Sequence, residues 1–414
     1  LKGDIKTPEQ DTNTEKRKAK KGKRLIYFKL FSIGAGVDMP LFFLIIILLS
    51  IGLVMLFSAS YASSYYYNNG DSYAFIRPQA FFAISGFIIM MAISFFDYHR
   101  LHMFAWPLYI FTVLCLLVVV LFKGTALVPK GGGAYRWINL GFTQFQPSEV
   151  AKFAVILLFA HLVSQKQKEM GTFKKGFLPF MGLLGLICGL IIIQPHLSGT
   201  IIIVGIGVVM MFIGGTKSRY LIGTVALGVV LVFIAYLSSE SIRESFAYVP
   251  GRIQCWLNPF NPPEGYTIRD DTWQTVQSLY AIGSGELLGV GLGQSRQKYL
   301  YLPEPQNDFI FAVVCEELGF IGALIIIIIF GAFIWRCVYV AIHAKDRFGT
   351  MLGLGIAFQV GIQIVLNLCV VTNTIPNTGI SLPFFSSGGT ALWILLAEMG
   401  VLLQISRSSN IEKT

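Results

Sequence analysis

Asp308 stands at the head of an apolar run, in "LPEPQNDFIFAVVCEELGFIG" (302–322), and Glu316 and Glu317 follow two turns later. Carboxylates on the way into a membrane-length segment are costly. Turning Glu316 and Glu317 toward lipid would cost roughly 5–7 kcal/mol. Both are therefore expected to face the bundle interior or a wet cavity, paired with basic residues that hold helices together. Asp308 is different. As the residue that opens a helix it could cap free N–H groups and meet the positive end of the dipole. Its neighbourhood adds a second reading: Ser295, Arg296, Lys298 and Glu304 lie just upstream in a polar loop. A carboxylate there could act as a general base at the lipid–water boundary.

Three further polar insertions interrupt apolar sequence. In "RWINLGFTQFQPSEVAKF" (136–153) Pro147, Ser148 and Glu149 suit a helix start. Glu149 and Lys152 then share one face, as a local ion pair or as part of a site where Lys152 and Arg136 present cations to an anionic headgroup. In "QPHLSGT" (194–200) Pro and Gly break an apolar stretch, which is tolerated at membrane depth only where protein or water satisfies the freed backbone. His196 there reads first as a satisfied polar residue. In "NTGISLPFFSSGGTALW" (377–393) the Pro, Ser and Gly cluster is either a plain loop or a re-entrant turn lining a cavity. "GSGELLGVGLG" (283–293) echoes a nucleotide-binding loop but lacks the strand–turn–helix setting such a loop needs.

The elements that must position these residues are membrane helices. The 414-residue chain is 54% hydrophobic and only 13% charged, against about 25% charged in an average soluble domain. Apolar runs extend into spans of about 20 residues, the length a helix needs to cross hydrocarbon. The weak alternation of a membrane β-barrel is not the pattern here. The chain reads as an all-α polytopic membrane protein of one domain, with about ten transmembrane helices near 38–60, 76–96, 103–122, 147–165, 178–194, 198–215, 220–238, 309–340, 350–371 and 391–407. A basic tail covers residues 1–37, with ten Lys or Arg, and a short tail covers 408–414. The basic tail reads as disordered and cytoplasmic, and the first span as a retained anchor. An even count puts both termini in the cytoplasm. The short loops then assigned inside carry Arg100, Lys166, Lys168, Lys174, Lys175, Lys217, Arg219, Lys345 and Arg347. The large 239–307 loop, between helices seven and eight, falls outside the cell. Five of the six cysteines lie in or beside apolar spans, so neither a disulfide framework nor zinc is expected. No nucleic acid is expected as a partner.

These motifs, in this order along residues 36–407, resemble the SEDS family (shape, elongation, division and sporulation) that includes FtsW, RodA and SpoVE. The resemblance rests on "GGAYRWINLGFTQFQPSEVAKF", "QPHLSGT", "GRIQCWLNPF", the long stretch from "QSLYAIGSGELLGVGLG" to "NDFIFAVVCEELGFIG", and "NTGISLPFFSSGGTALW". It implies a peptidoglycan glycosyltransferase that polymerises lipid II at the outer face of the bacterial cytoplasmic membrane, with the FtsW-like division role preferred. The family's essential acid falls on Asp308. Its polar cavity residues fall on Arg136, Glu149, Lys152, Arg252, Gln277, Lys298 and Ser386, while Ser295 and Glu304 join the candidate substrate site from their place upstream of Asp308. The resemblance also implies a class B penicillin-binding protein as transpeptidase partner, other divisome or elongasome membrane proteins, and a divalent cation (Mg2+ or Mn2+) but no organic cofactor. The sequence departs from the family pattern at His196, where Asp is usual, at Ser387, where Tyr is usual, and in "QNDF", where the family has "HTDF".

The chemistry implied is attack by a sugar 4-hydroxyl on an anomeric carbon, with polyprenyl diphosphate leaving. A single carboxylate base suffices, because diphosphate departs as a stabilised anion and needs cations rather than an acid. Paired carboxylates, as in glycoside hydrolases, are not required. The competing readings are a transporter that flips lipid II, which would also use buried acids and broken helices, and a non-catalytic scaffold of a cell-wall complex.

Overall fold

Asp38 caps the first helix: its carboxylate accepts the N–H of Leu41 at 2.9 Å, and Pro40 occupies the first turn, where its missing N–H costs nothing. The computed structural model describes residues 36–131, 134–141, 143–226 and 249–409. Helices follow in the order α1 (Met39–Tyr67), α2 (Ile76–Phe95), α3 (Leu101–Leu121), α4 (Pro147–Gln165), α5 (Leu178–Ile193), α6 (Leu197–Gly214), α7 (Val249–Leu257), α8 (Trp273–Ser284), α9 (Ile310–Ile342), α10 (Arg347–Val371) and α11 (Gly389–Ser408). Among the described residues nine of these are long and apolar enough to cross a membrane, namely all but α7 and α8. The expected span at 220–238 starts as helix over 218–226 and then lies outside the described residues, as does the basic tail through residue 35.

The helices run alternately between two ends of one bundle. α4 is the most enclosed, packed by α3, α6 and α10, while α2 and α11 lie along each other. At one end, Arg336 grips Asp38 through two bonds of 2.9 and 2.6 Å, and the backbone N–H of Asp38 donates to Ser406 at 3.1 Å. Asp346 caps α10 and receives the hydroxyl of Tyr98. His102 and His161 face each other at 2.7 Å. The connections at this end, 96–100, 166–177, 215–217 and 343–346, carry Arg100, Lys166, Lys168, Lys174, Lys175, Lys217 and Lys345.

The opposite end, where Asp308 lies, is roofed by the longer connections. A two-stranded hairpin pairs β1 (Ile138–Asn139) with β2 (Gln144–Phe145). α7 is tied to the end of α10 by reciprocal bonds: Trp256 Nε1 donates to the Asn373 carbonyl, and Asn373 Nδ2 to the Trp256 carbonyl, each at 3.0 Å. α8 is held by Ser278, whose hydroxyl donates to the carbonyl of Val371 at 2.8 Å.

α9 is too long for a bilayer: 33 residues rise about 50 Å. The structure resolves the excess with a break at Gly319 (φ 67°, ψ −173°). The turns before it are buried rather than lipid-exposed, wrapped by the 285–300 segment. Around the break the backbone bonds to that segment instead of to itself. Val290 and Gly291 donate to the carbonyls of Glu316 and Glu317 at 3.0 Å, and Phe320 and Ile321 donate to those of Glu286 and Leu287 at 2.8 and 3.1 Å. This contact explains the glycine-rich stretch. A Cβ at Gly289 (φ 82°) would meet the Glu317 carbonyl oxygen at 2.2 Å, closer than any real contact.

Candidate active site

Asp308 closes the loop before α9 and is fixed through backbone atoms. Asn367 of α10 donates its Nδ2 to the Asp308 carbonyl at 2.7 Å and to that of Ile380 at 2.7 Å. Ser386 donates to the Asn307 carbonyl at 2.7 Å, and the N–H of Ser387 to the Gln306 carbonyl at 2.8 Å. The carboxylate itself accepts no hydrogen bond from a described side chain or backbone group. It turns toward Gly379, at whose Cβ position Oδ2 would lie 3.2 Å away. Burial, with the nearby charge of Glu304, pushes its pKa up to about 6, against the opposing pull of Arg136. That value places a carboxylate close to working pH, as a general base requires.

Gly379 lines a polar cavity of about 60 Å³, whose walls include Ser148, Glu149 and Lys152 of α4, His196, and Gln363 of α10. A second cavity of about 40 Å³ shares Glu149, Gln363 and Ser381 with it and runs under Ser386 and Ser387. The 377–388 connection is thus a cavity wall. Lys152 pairs with Glu149 at 2.7 Å and is only 3% exposed. Arg136 donates to the Pro195 carbonyl. Burial drives the His196 imidazole down to about 3, with help from Arg136 and Lys152, so it is neutral at physiological pH. Gly199 leaves room for that ring, since a Cβ there would meet Cε1 at 2.8 Å. Buried polar atoms without a partner cluster here: Arg136 Nε, Ser148 Oγ and His196 Nδ1. Such atoms cost free energy unless water or a ligand satisfies them.

The structure therefore brings Arg136, Glu149, Lys152 and His196 together beside Asp308. It does not bring Ser295 and Lys298 there. Lys298 is 2% exposed and donates to Glu317 at 2.8 Å, to Ser58 of α1 at 3.1 Å and to the Gly293 carbonyl at 2.6 Å. Ser295 donates to Glu316 at 2.5 Å, while the N–H groups of Arg296 and Gln297 reach the same carboxylate. This departs from the expectation that the two residues lie beside Asp308; Glu317 has the expected basic partner, whereas Glu316 is held by the Ser295 hydroxyl and backbone N–H groups. The physical reason is the break at Gly319, which calls for the 285–300 segment as a bolt. Glu304 is exposed and accepts from the Gln306 and Asn307 amides at 3.1 and 2.8 Å, shaping the turn into Asp308. Gln277 is buried on α8. Ser386 braces the loop, accepting from the Leu382 N–H at 2.7 Å. Arg252 lies in α7, and its side chain is outside the described residues. Among the described residues no three His, Cys, Asp or Glu are grouped to hold a metal. An all-protein cage for a divalent ion is therefore not formed among the described residues.

Sequence reasoning missed the amides of α10. Gln359, Gln363 and Asn367 fall at intervals of four in "AFQVGIQIVLNL", one polar stripe on a membrane helix.

A buried polar crevice at one end of a helical bundle, with a carboxylate that accepts no hydrogen bond beside cations, marks a polytopic membrane protein with a polar site at one end of its bundle. The family model for the FtsW/RodA/SpoVE cell cycle proteins matches residues 39–411, and the chain belongs to that family. Stage V sporulation protein E of Bacillus subtilis is 40% identical over 90% of this chain and 97% of its own length. A probable peptidoglycan glycosyltransferase FtsW of Trichlorobacter lovleyi is 38% identical over 90% and 93%. The fold matches a chain of a peptidoglycan synthase complex solved for the coordination of polymerization and crosslinking (TM-score 0.70, 24% identity, 90% of this chain and 98% of that one). It also matches the rod shape determining protein RodA of Thermus thermophilus (TM-score 0.63, 25% identity, 91% and 98%).

Proposed function

We propose that this chain is a peptidoglycan glycosyltransferase that joins lipid II units into glycan strands at the outer face of the cytoplasmic membrane, in cell division. The glycosyltransferase name carried by its FtsW relatives supports the activity. The observation that carries the mechanism is the Asp308 carboxylate, free of hydrogen bonds, pushed up to about 6 and set beside Arg136 and the Lys152 cavity. Asp308 takes the proton from the attacking 4-hydroxyl as its oxygen bonds to the anomeric carbon. The bond from that carbon to the diphosphate oxygen breaks, with inversion, and the electron pair leaves on the diphosphate. Arg136 and Lys152 hold the departing charge.

Basic residues collected at the Asp346 end support a cytoplasmic assignment for that end. Asp308 and the 249–307 segment then face outward, and both termini inward. A class B penicillin-binding protein is the partner this reading calls for, in line with the place of the structural neighbour in a synthase complex.

The test is the purified chain, with and without its partner, given labelled lipid II in detergent. Glycan chains from the wild type and none from a folded Asp308→Asn are expected. Unchanged polymerisation by that variant removes Asp308 from the mechanism. Transbilayer movement of lipid II without polymer makes the protein a transporter.

A further inference from the structure

Glu398 is an acid that glycosyl transfer leaves unused. It lies in α11, 1% exposed. Its hydrogen-bond donor is a neutral amide, Gln359 of α10, whose Nε2 lies 2.9 Å from both carboxylate oxygens. The charged groups that act on it are Lys152 and Glu149 of α4, already paired with each other at 2.7 Å. The other helices packed on α11 keep their charges elsewhere. Arg77 of α2 pairs with Asp71, and Arg336 of α9 with Asp38 of α1. Arg347 of α10 donates to the Gly214 carbonyl, and Glu316 and Glu317 are held in the Lys298 network. The 97–100 turn meets α11 at Gln404.

Glu149 and Glu398 thus both lie within electrostatic reach of one lysine, with Glu149 in direct contact with it. With both ionised, the trio would hold an uncompensated negative charge at membrane depth, a desolvation cost of several kcal/mol per ion. One neutral amide does not offset that for a carboxylate with about four acceptor sites. A second observation points the same way: Gln359 Oε1 is buried with no partner. The two ends of an amide have nearly the same shape, so the group can turn over in place. Turning this amide over gives Oε1 the O–H of a protonated Glu398 to accept, so the oxygen that has no partner gains one.

We propose that Glu398 is a neutral carboxylic acid, hydrogen-bonded to Gln359, whose retained proton leaves the charge of Lys152 available to the cavity that Lys152 lines. Loss of the proton makes Glu398 a rival for Lys152. An anion held at Lys152 is therefore coupled to one proton on Glu398. The proposal rests on the glycosyl-transfer reading only for the identity of that anion as a diphosphate.

Infrared difference spectroscopy of the full chain in detergent, wild type against Glu398→Gln, reads the protonation without substrate, so this arm stands or falls apart from glycosyl transfer. A carboxylic-acid C=O band is expected in the wild type at neutral pH, absent from Glu398→Gln, retained in Asp308→Asn, and moved to higher frequency in Gln359→Leu. A wild type without the band, or a Glu398→Gln that keeps it, overturns the proposal. Calorimetry with inorganic pyrophosphate reads the coupling. Affinity in the wild type is expected to fall on the alkaline side more steeply than in Glu398→Gln, by about tenfold per pH unit for one coupled proton. Equal slopes overturn the coupling. Glu398→Gln preserves the shape of the side chain and is expected to melt with the wild type and to polymerise at neutral pH.

Discussion

Lys298→Met separates two roles for a family-pattern lysine, one toward substrate and one toward the fold. The ammonium makes three contacts, to Glu317, Ser58 and the Gly293 carbonyl, at 2.8, 3.1 and 2.6 Å. Its partner Glu317 is fully buried. Removing the ammonium leaves that carboxylate with uncharged donors alone: the Ser58 hydroxyl at 2.6 and 2.7 Å and the Ser295 N–H at 3.3 Å. Stranding one member of a buried pair costs about 3–5 kcal/mol, or roughly two to three and a half decades in the folded-to-unfolded ratio at about 1.4 kcal/mol per decade. Replacing both members, Lys298→Met with Glu317→Gln, removes the stranded charge and should recover most of that loss. The assay is denaturant or thermal unfolding in detergent, run beside lipid II polymerisation. Expected is a destabilised single variant, a double variant near wild type in stability, and pyrophosphate affinity unchanged in the folded fraction of both. If Lys298→Met unfolds with the wild type but binds pyrophosphate far more weakly, the lysine serves the ligand and the fold argument is wrong.

Other consequences follow from the same geometry. Polymerisation should decline as pH falls through about 6, because the base must be ionised and its folded pKa is raised to that value; a rate flat through this range removes Asp308 as the titrating group. Asp308→Asn should also gain stability at neutral pH. The folded pKa lies above the ordinary carboxylate value, so the charge favours folding less as pH rises through about 6, and its removal is worth roughly 1–3 kcal/mol, read as a raised melting temperature. Gly289→Ala, at φ 82° and 2.2 Å from the Glu317 carbonyl, should cost about 3 kcal/mol or more through strain and overpacking, seen as lost yield and a lowered melt. Lys152→Met should abolish polymerisation and pyrophosphate binding alike, and adding Glu149→Gln should restore stability but not activity.

Much of this architecture was legible in the residues because the membrane restricts the options. Apolar runs of bilayer length become helices, and acids among them turn inward. Glu149 and Lys152, three apart, met as their spacing requires. Legibility failed where long-range backbone pairing decides. Nothing local in "GSGELLGVGLG" says that its glycines exist to let the chain lie against a broken helix 30 residues on. Lys298 entered the candidate site through the family resemblance and Ser295 by its place upstream of Asp308, whereas the break at Gly319 draws their segment to Glu316 and Glu317, which hold both side chains. The α10 amides were visible as a stripe, but only the fold shows that Asn367 holds the Asp308 carbonyl.

The way Asp308 is held suits the base role proposed for it. A carboxylate positioned by hydrogen bonds to its own oxygens would be stabilised as an anion and weakened as a base. Here the positioning falls on the backbone instead, through Asn367 on the Asp308 carbonyl, Ser386 on that of Asn307, and the Ser387 N–H on that of Gln306. The buried turns of α9 extend this rigidity to the Gly319 break, where four backbone bonds and the Lys298–Glu317 pair lock the helix against α1 and the 285–300 segment. Orientation and proton affinity are thereby set by different groups. A helix of ordinary bilayer length would have no such turns above the hydrocarbon, and its first carboxylate would have only lipid or open water to face.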